Sequence, residues 1–348
     1  MPVSYRSLMG SSRTCVRIAV SCLLAGGFCA AWCQPKGLEQ RVSELESQLE
    51  RLRTMRSPLA IAHLKWYPQR AGIVISTPAR PGAIAFDGAH LWITHISGNV
   101  VSKVRASDGA ILGSFPTGGA RPVAVVFDGS SVWVSHNDAP RVLAKIRASD
   151  GNLLATYMPT PNFEALALAF DGTHIWASNQ GNSNVLKIRP SDGTVLGAFP
   201  VPSFPLGIAC DGANVWVNST VSAVVTKLRA SDGANLGTFP TGVSPWSVAF
   251  DGSAVWVANQ GSGTVTKLRA TDGAVLGVFP AGPNPTGIAF DGASIWVTNP
   301  LAGTVTKLRA SDCAALGTFA SGTGPWTIAF DGVDVWVAND GSSNVTRF

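Results

Sequence analysis

The chain has 348 residues, of which 46% are apolar and only 14% are charged, so most of it can form a hydrophobic core and is not intrinsically disordered. Its 37 Gly and 22 Pro point to frequent turns, and its few Glu are not typical of a mostly helical protein. The formal net charge of +5 is modest. Length and composition therefore allow one large domain or two ordinary ones, rich in turns.

Residues 1–33 have the pattern of a secretory signal. Arg6, Arg13 and Arg17 precede an apolar stretch, residues 18–31, that is shorter than the roughly 20 residues of a membrane-spanning helix. We therefore expect an exported protein, periplasmic or extracellular. A retained anchor, which would attach the protein to a membrane through its N-terminus, is the alternative to cleavage.

Residues 34–58 predict a short amphipathic helix, and residues 59–71 a linker. The apolar residues of the helix recur at alternating steps of four and three: Leu38, Val42, Leu45, Leu49 and Leu52. About two heptads are short for a coiled coil. The helix is either a spacer that lies against the main domain or a stalk that joins copies of the chain into a homo-oligomer through residues 38–52.

From residue 80 onward the chain repeats one unit of about 40 residues. Each unit contains an Asp-Gly turn, and a Trp follows the turn Asp at a constant offset of five residues: Trp92, Trp133, Trp176, Trp216, Trp256, Trp296 and Trp336. The pieces GIAF, IWVTN, TVTKLR and VLGTFP read as four strands, which we call A to D. A period of this length made of short apolar strands is typical of a β-propeller. The sequence therefore predicts an all-β, seven-bladed β-propeller of four-stranded blades over residues 72–348.

The seventh unit ends within strand C (NVTRF), so one outer strand is missing from it. The segment from Gly72 to Gly88 aligns with the end of a unit and the beginning of the next. We expect Ile73 to Thr77 to supply the outer strand of blade seven and to close the ring, since a closed ring removes free sheet edges. The repeated Trp is expected to fill the space between neighbouring sheets.

The basic residues and the cysteines argue against a nucleic-acid partner and against a disulfide. Strand C supplies 13 of the 26 basic residues, one or two per blade, rather than a cluster interleaved with aromatics, so no nucleic-acid partner is expected. Cys210 and Cys313 occupy different positions of the repeat, and a disulfide between them is not expected.

Candidate site residues are those that depart from the repeat on the face formed by the B-to-C and D-to-A connections. Blades one and two each place an Arg and a His on this rim, namely Arg80 with His95 and Arg121 with His136. Arg side chains suit a carboxylate, sulfate or phosphate, and His titrates near neutral pH. Sequence drift, with Arg121 paired to Glu164, is the alternative. A third interpretation is a divalent metal held by His95, His136 and Glu164. No other cofactor is predicted.

Blades five and seven depart in another way, with Trp246 and Trp326 at the start of strand A where other blades have smaller residues. Aromatic side chains at the mouth of a channel can stack on a sugar ring or a peptide. Packing against the preceding Pro245 and Pro325 is the structural alternative.

Units of the form P-x-GIAFDG-x-x-IWVTN-x-x-x-GTVTKLR resemble the YVTN and NHL families of propeller repeats, including propellers related to streptogramin (virginiamycin B) lyase. The resemblance covers about 270 residues and is specific for the fold. It implies, for the lyase relatives, His and Glu acting with a bound metal on one face.

Three functions fit the sequence. The first is an exported, noncatalytic binding or protein-interaction platform whose ligand is a small anionic molecule, a glycan or a protein segment. The alternative is a metal-dependent lyase or hydrolase similar to streptogramin lyase. In the third, the N-terminal helix assembles the protein and the propeller is a passive spacer.

Overall fold

The computed structural model describes residues 73–348. The predicted signal or anchor, helix and linker lie outside the described residues, so these three segments and the association through residues 38–52 stay predictions. The described chain consists of seven antiparallel four-stranded sheets and one short 3₁₀ helix, Gln180–Asn182. The predicted all-β, seven-bladed propeller is thus confirmed. Within residues 73–348, no helix has the length and apolar character needed to cross a bilayer.

The strands follow one another from the centre of each blade to its outer edge, with the first strand of the chain placed in the last blade. Blade one contains β2 (Pro81–Phe86), β3 (His90–His95), β4 (Val100–Arg105) and β5 (Ile111–Pro116). Blade two contains β6 (Ala120–Phe127), β7 (Ser131–Asp138), β8 (Leu143–Arg147) and β9 (Leu153–Tyr157). Blade three contains β10 (Ala165–Phe170), β11 (Ile175–Asn179), β12 (Asn184–Ile188) and β13 (Val195–Pro200).

The remaining blades repeat this order. Blade four contains β14 (Pro205–Cys210), β15 (Asn214–Ser219), β16 (Val224–Arg229) and β17 (Asn235–Pro240). Blade five contains β18 (Pro245–Phe250), β19 (Ala254–Asn259), β20 (Thr264–Arg269) and β21 (Val275–Pro280). Blade six contains β22 (Ile288–Phe290), β23 (Ser294–Asn299), β24 (Thr304–Arg309) and β25 (Ala315–Ala320). Blade seven contains β26 (Pro325–Phe330), β27 (Val335–Asn339), β28 (Asn344–Arg347) and β1 (Ile73–Ser76).

The ring is closed as predicted, by β1 in blade seven. β1 pairs antiparallel with β28, so that Ile73 lies opposite Arg347 and Ser76 opposite Asn344. The Thr77 amide adds a hydrogen bond of 3.0 Å to the carbonyl of Ser343. β1 ends at Ser76, one residue earlier than expected, and is the fourth strand of blade seven.

A hydrogen bond between the turn Asp and the repeated Trp holds each blade together. One carboxylate oxygen accepts the backbone amides two and three residues later, and the other accepts the indole N–H of the Trp. The Asp–Trp pairs, with their distances, are Asp87–Trp92 (2.9 Å), Asp128–Trp133 (2.7 Å), Asp171–Trp176 (2.6 Å), Asp211–Trp216 (2.8 Å), Asp251–Trp256 (2.7 Å), Asp291–Trp296 (2.7 Å) and Asp331–Trp336 (2.7 Å). The sequence analysis did not predict the bond to the indole.

The Trp rings lie in the core between neighbouring sheets, as expected. Trp92, for example, is fully buried and belongs to one apolar cluster with Val132 and Val134 of the next blade. In blades one to six a strand-C Lys ammonium lies 4.4–5.4 Å from the centre of the ring. Five of these Lys donate to a carbonyl of the following blade, as Lys187 does to Ala230 at 2.7 Å. The repeated Lys thus joins blades and contributes to the high isoelectric point.

Blade seven uses Arg347 in place of the Lys. Its guanidinium lies 5.5 Å from the Trp336 ring and donates to the carbonyls of Ala106 and Ser107 in blade one, at 3.2 and 3.1 Å. The two ends of the propeller are therefore joined by the same kind of contact as the other blades. In blade six, Lys307 instead pairs with Asp291 of its own blade at 3.3 Å.

Deletion of residues 72–78 should abolish cooperative unfolding, because it leaves β28 as an unpaired edge and blade seven with three strands. Thermal and urea denaturation followed by circular dichroism would measure this. Val74→Thr is the control, since its side chain is exposed and the backbone pairing is kept. A deletion protein that melts like the wild type would show that β1 is dispensable.

Trp256→Phe should lower the free energy of unfolding by about 2 kcal/mol, because it removes a hydrogen bond to a partly buried carboxylate. Burial raises the pKa of Asp251, but the hydrogen bonds from Trp256, Ala254 and Ser253 outweigh it and keep that pKa below its ordinary value. Urea denaturation is the measurement. Trp246→Phe in the same blade, outside any Asp-Gly pairing, is the control, and equal losses for both variants would contradict the assigned role of the Asp.

Candidate functional site

A cavity of about 690 Å³ opens at the centre of the ring, on the face formed by the B-to-C and D-to-A connections. Each blade contributes one residue from the same repeat position to the mouth of this cavity: Gly82, Val123, Leu166, Leu206, Trp246, Thr286 and Trp326. Small residues such as Ala83 and Gly207 follow below, and then aliphatic ones such as Ile84 and Ile208. The wall is therefore mainly apolar, with polar groups at the mouth.

Trp246 and Trp326 meet at this mouth although they belong to blades five and seven. Their ring centres are 5.3 Å apart and their planes are inclined by 80°, an edge-to-face arrangement. Blade six lies between them and has only Thr286 at the corresponding position. The Thr286 hydroxyl donates to the backbone carbonyl of Trp326 at 2.9 Å. A small residue in blade six thus allows two large ones to touch, which sequence reasoning did not foresee.

Arg80 is held by a carboxylate rather than free for an anion. Its Nε and Nη2 donate to the two oxygens of Asp340 at 2.7 and 2.6 Å, a bidentate pair across blades one and seven. The hydrogen bond to Asp340 raises the pKa of Arg80. Both residues line the cavity. Their opposite charges make this part of the mouth polar but nearly neutral.

Arg121 and Glu164 do not pair with each other, so the pairing considered from the sequence is wrong. Arg121 lies 3.6 Å from Asp138, and Glu164 lies 3.2 Å from Arg141. Arg141 belongs to the B-to-C loop of blade two, which provides a nearer cation for Glu164. Arg121 lines the central cavity, whereas Glu164 does not.

His95 and His136 are fully buried and both ring nitrogens of each are hydrogen-bonded. For His95 the partners are the Ala79 carbonyl at 3.2 Å and the Ser102 hydroxyl at 2.8 Å. For His136 they are the Val142 carbonyl at 2.9 Å and the Thr117 hydroxyl at 2.8 Å. The two imidazoles therefore offer no free surface to a ligand.

The other blades explain this burial. Asn259 and Asn339 occupy the same repeat position and are equally buried, and their amides tie strand B to strand C and to the D-to-A connection. His replaces Asn in this fastening role in blades one and two. In the described part of the chain, residues 73–348, no three His, Cys, Asp or Glu side chains come together in a metal-ligating group. The structure therefore does not assemble His95, His136 and Glu164 into a metal site.

Charge is divided unequally over the cavity-bearing face. The connections at this face contain six charged residues, which form three ion pairs and all lie in blades seven, one, two and three: Arg80, Arg121, Asp138, Arg141, Glu164 and Asp340. The connections of blades four to six contain no charged residue. They expose apolar side chains instead, Phe204 at 50%, Val243 at 61% and Leu301 at 78%. The loop sequences carried this signal, which sequence reasoning missed.

The wild-type protein should lose stability as the pH falls below about 6.5, and the His95→Asn/His136→Asn double variant should remove this loss. Burial lowers the pKa of each His below its ordinary value of 6.5, opposed in part by a backbone hydrogen bond. The unfolded chain therefore binds more protons than the folded one as the pH falls through 6.5, so wild-type stability is complete above that value and falls below it. Urea denaturation between about pH 7.5 and 5 measures the slope.

The double variant should give a flatter pH profile, because Asn is the residue that other blades use at this position. Each single variant, His95→Asn or His136→Asn, should remove part of the slope. Parallel profiles for the wild type and the buried-site double variant would contradict the assignment.

Neither a protein-family model nor a curated protein sequence matches the chain. Solved structures do match. Virginiamycin B lyase from Staphylococcus aureus superposes with a TM-score of 0.68 at 19% identity, over 79% of this chain and 97% of that one. A streptogramin B lyase superposes with a TM-score of 0.65 at 19% identity, over 79% and 95%. Hydrazine synthase from Kuenenia stuttgartiensis gives 0.66 at 17%, over 81% and 98%. The predicted relation to propellers of the streptogramin lyase type is thus confirmed as a likeness of fold.

Proposed function

We propose that the protein is an exported, noncatalytic binding platform that holds its ligand in the central cavity. The contact between Trp246 and Trp326 is the observation that carries this proposal. Two large aromatic side chains converge on the mouth of a cavity of about 690 Å³ at positions where the other blades have smaller residues. A concave, mostly apolar cavity with a few convergent polar groups is the usual form of a ligand site.

The charged groups of the cavity support binding rather than turnover. Those that line it are Arg80, Arg121 and Asp340. General acid–base catalysis needs a group that is free to exchange a proton near the working pH. Asp340 is held by both of its oxygens in the pair with Arg80. This arrangement orients a ligand better than it transfers protons.

The ion pairs also bear on the kind of ligand. Arg80 and Arg121 each have a carboxylate partner, which favours a neutral or weakly anionic ligand over a strongly anionic one. We propose a glycan, a peptide segment or a small carboxylate with an apolar part against the two Trp and a polar part against Arg80. No nucleic-acid partner is proposed, since strand-C cations such as Lys103 and Arg105 contact a backbone carbonyl or an Asp.

A metal-dependent lyase or hydrolase is the second candidate, favoured by the likeness of fold to virginiamycin B lyase. It requires a metal site that residues 73–348 do not assemble in this structure. Elemental analysis of the purified protein, before and after chelation, separates the two candidates. Stoichiometric divalent metal, with an activity that chelation abolishes, would replace the platform by the enzyme.

A glycan and metabolite screen on the full chain tests the proposed platform. Trp246→Ala/Trp326→Ala should weaken a hit at least tenfold, since aromatic contacts contribute about 0.5–1.5 kcal/mol each beyond the area they bury. Arg80→Ala/Arg121→Ala should weaken only hits that bear a carboxylate or another anion. Phe204→Ala is the control, because this exposed aromatic lies on the same face but outside the cavity. Hits that survive the double Trp variant, or a screen without hits, would count against the central cavity.

A further inference from the structure

A second cavity, of about 470 Å³, opens on the same face between blades two and three. We call it the lateral pocket, and the residues that line it include Asn137, Asp138, Pro140, Arg141, Met158 and Phe163. Asn137 also lines the central cavity, so it stands between the two. None of the other lateral-pocket residues lines the central cavity.

The repeat is lengthened where this pocket lies. Asp128 and Asp171 are 43 residues apart, whereas the later turn Asp residues are spaced by 40. The added residues fall in the two connections that form the pocket walls, the B-to-C loop of blade two and the D-to-A connection into blade three. In repeat proteins, insertions often collect on the binding face.

The walls of the pocket are braced by contacts that do not depend on a ligand. The Arg141 side chain donates to the Asn137 carbonyl at 3.0 Å and reaches Glu164 at 3.2 Å, which ties blade two to blade three. The Asn182 amide donates to the Pro161 carbonyl at 2.9 Å. Gly181 lies so close to Asn162 that an added Cβ would clash with its carbonyl oxygen. A preformed pocket loses little freedom when it binds.

The lining combines an apolar surface with one unused acceptor. Met158 is 65% exposed, while Phe163 is almost wholly buried in the apolar cluster between blades two and three. The side-chain oxygen of Asn137 is buried and accepts no hydrogen bond in the described part of the chain. A buried acceptor without a donor is unfavourable, and the terminal torsion of an Asn side chain is broad enough for the oxygen to turn into the pocket.

We propose that the lateral pocket is a second binding site, which takes a neutral aromatic ring bearing one N–H or O–H donor. The ring contacts Met158 and Pro140, and its donor bonds the Asn137 oxygen. The ligand is neutral because the pocket's charges cancel in the pairs Arg121–Asp138 and Arg141–Glu164. The volume suits a group of one or two fused rings. This site does not depend on the function proposed for the central cavity.

Indole and indene are matched probes, since they have nearly the same shape and differ in the N–H donor. Met158 is the only methionine within residues 73–348, the others being Met1, Met9 and Met55. In the full chain labelled with [methyl-¹³C]methionine, the Met158 signal is identified by its loss in Met158→Leu. We expect that signal to shift saturably with indole, and the dissociation constant for indene to be at least fivefold higher.

Asn137→Leu should bring the two dissociation constants together, whereas Asn137→Asp, which keeps an acceptor, should preserve the preference for indole. Gln260→Leu, at the corresponding position of blade five, is the matched control and should behave like the wild type. A Met158 signal that does not move, equal binding of indole and indene, or a preference that survives Asn137→Leu would each overturn the proposal.

The central cavity is monitored separately by the indole ¹⁵N–H signals of Trp246 and Trp326. Trp326→Ala should leave the Met158 response to indole unchanged. Failure of the lateral pocket is therefore distinguishable from failure of the central site. Movement of the two Trp signals without any shift of Met158 would place indole in the central cavity and reject the lateral pocket.

Discussion

The hydrogen bond from the Trp indole to the turn Asp is the interaction on which the rest of the propeller depends. It fixes the turn on one face of the blade and the aromatic ring in the core with a single carboxylate, as Asp251 does for Trp256 at 2.7 Å. The ring then supports the Lys ammonium that reaches into the next blade, such as Lys267, which donates to Ala310. Without the carboxylate, a buried N–H would lack a partner, and the ring beneath the Lys would be held less firmly. One local contact, repeated around the circle, thereby orders both the blade and its neighbour.

Because these stabilising contacts lie at the Asp-Gly turns and in the core, the connections on the opposite face can vary in sequence. The turns on the Asp face follow one pattern in every blade, whereas the opposite connections differ in length and charge. Arg121, Phe204, Ser244 and Asn284 adopt positive φ at one repeat position on that face, although none of them is Gly. Left-handed backbone and variable loops occur where a rigid scaffold can support them, and both cavities open there. The fold thus separates the residues that stabilise it from those that contact a ligand.

The architecture was predictable from the sequence because its determinants are local and repeated. Asp-Gly turns, strand lengths and the missing last strand are all visible in a single unit, and β1 lies where the alignment of Gly72 to Gly88 placed it. The candidate site was predictable only in part. The positions of Trp246 and Trp326 followed from the repeat, but their contact depends on Thr286 in the blade between them. The burial of His95 and His136 depends on how far the neighbouring connection folds over the end of strand B, and no local pattern states that.

The closure of the ring by β1 has a mechanical consequence. Any force applied through the chain before Ile73 reaches the propeller at this strand, which is linked to the last residues of the domain by four residue pairs with β28 and the adjoining hydrogen bond from Thr77 to Ser343. The other blades take all four strands from one continuous stretch of chain. Under tension from a tether on that side, rupture would therefore begin at the seam of blade seven and leave the remaining sheets whole. A propeller pulled from its N-terminal side thus loses the pairing of β1 with β28 first.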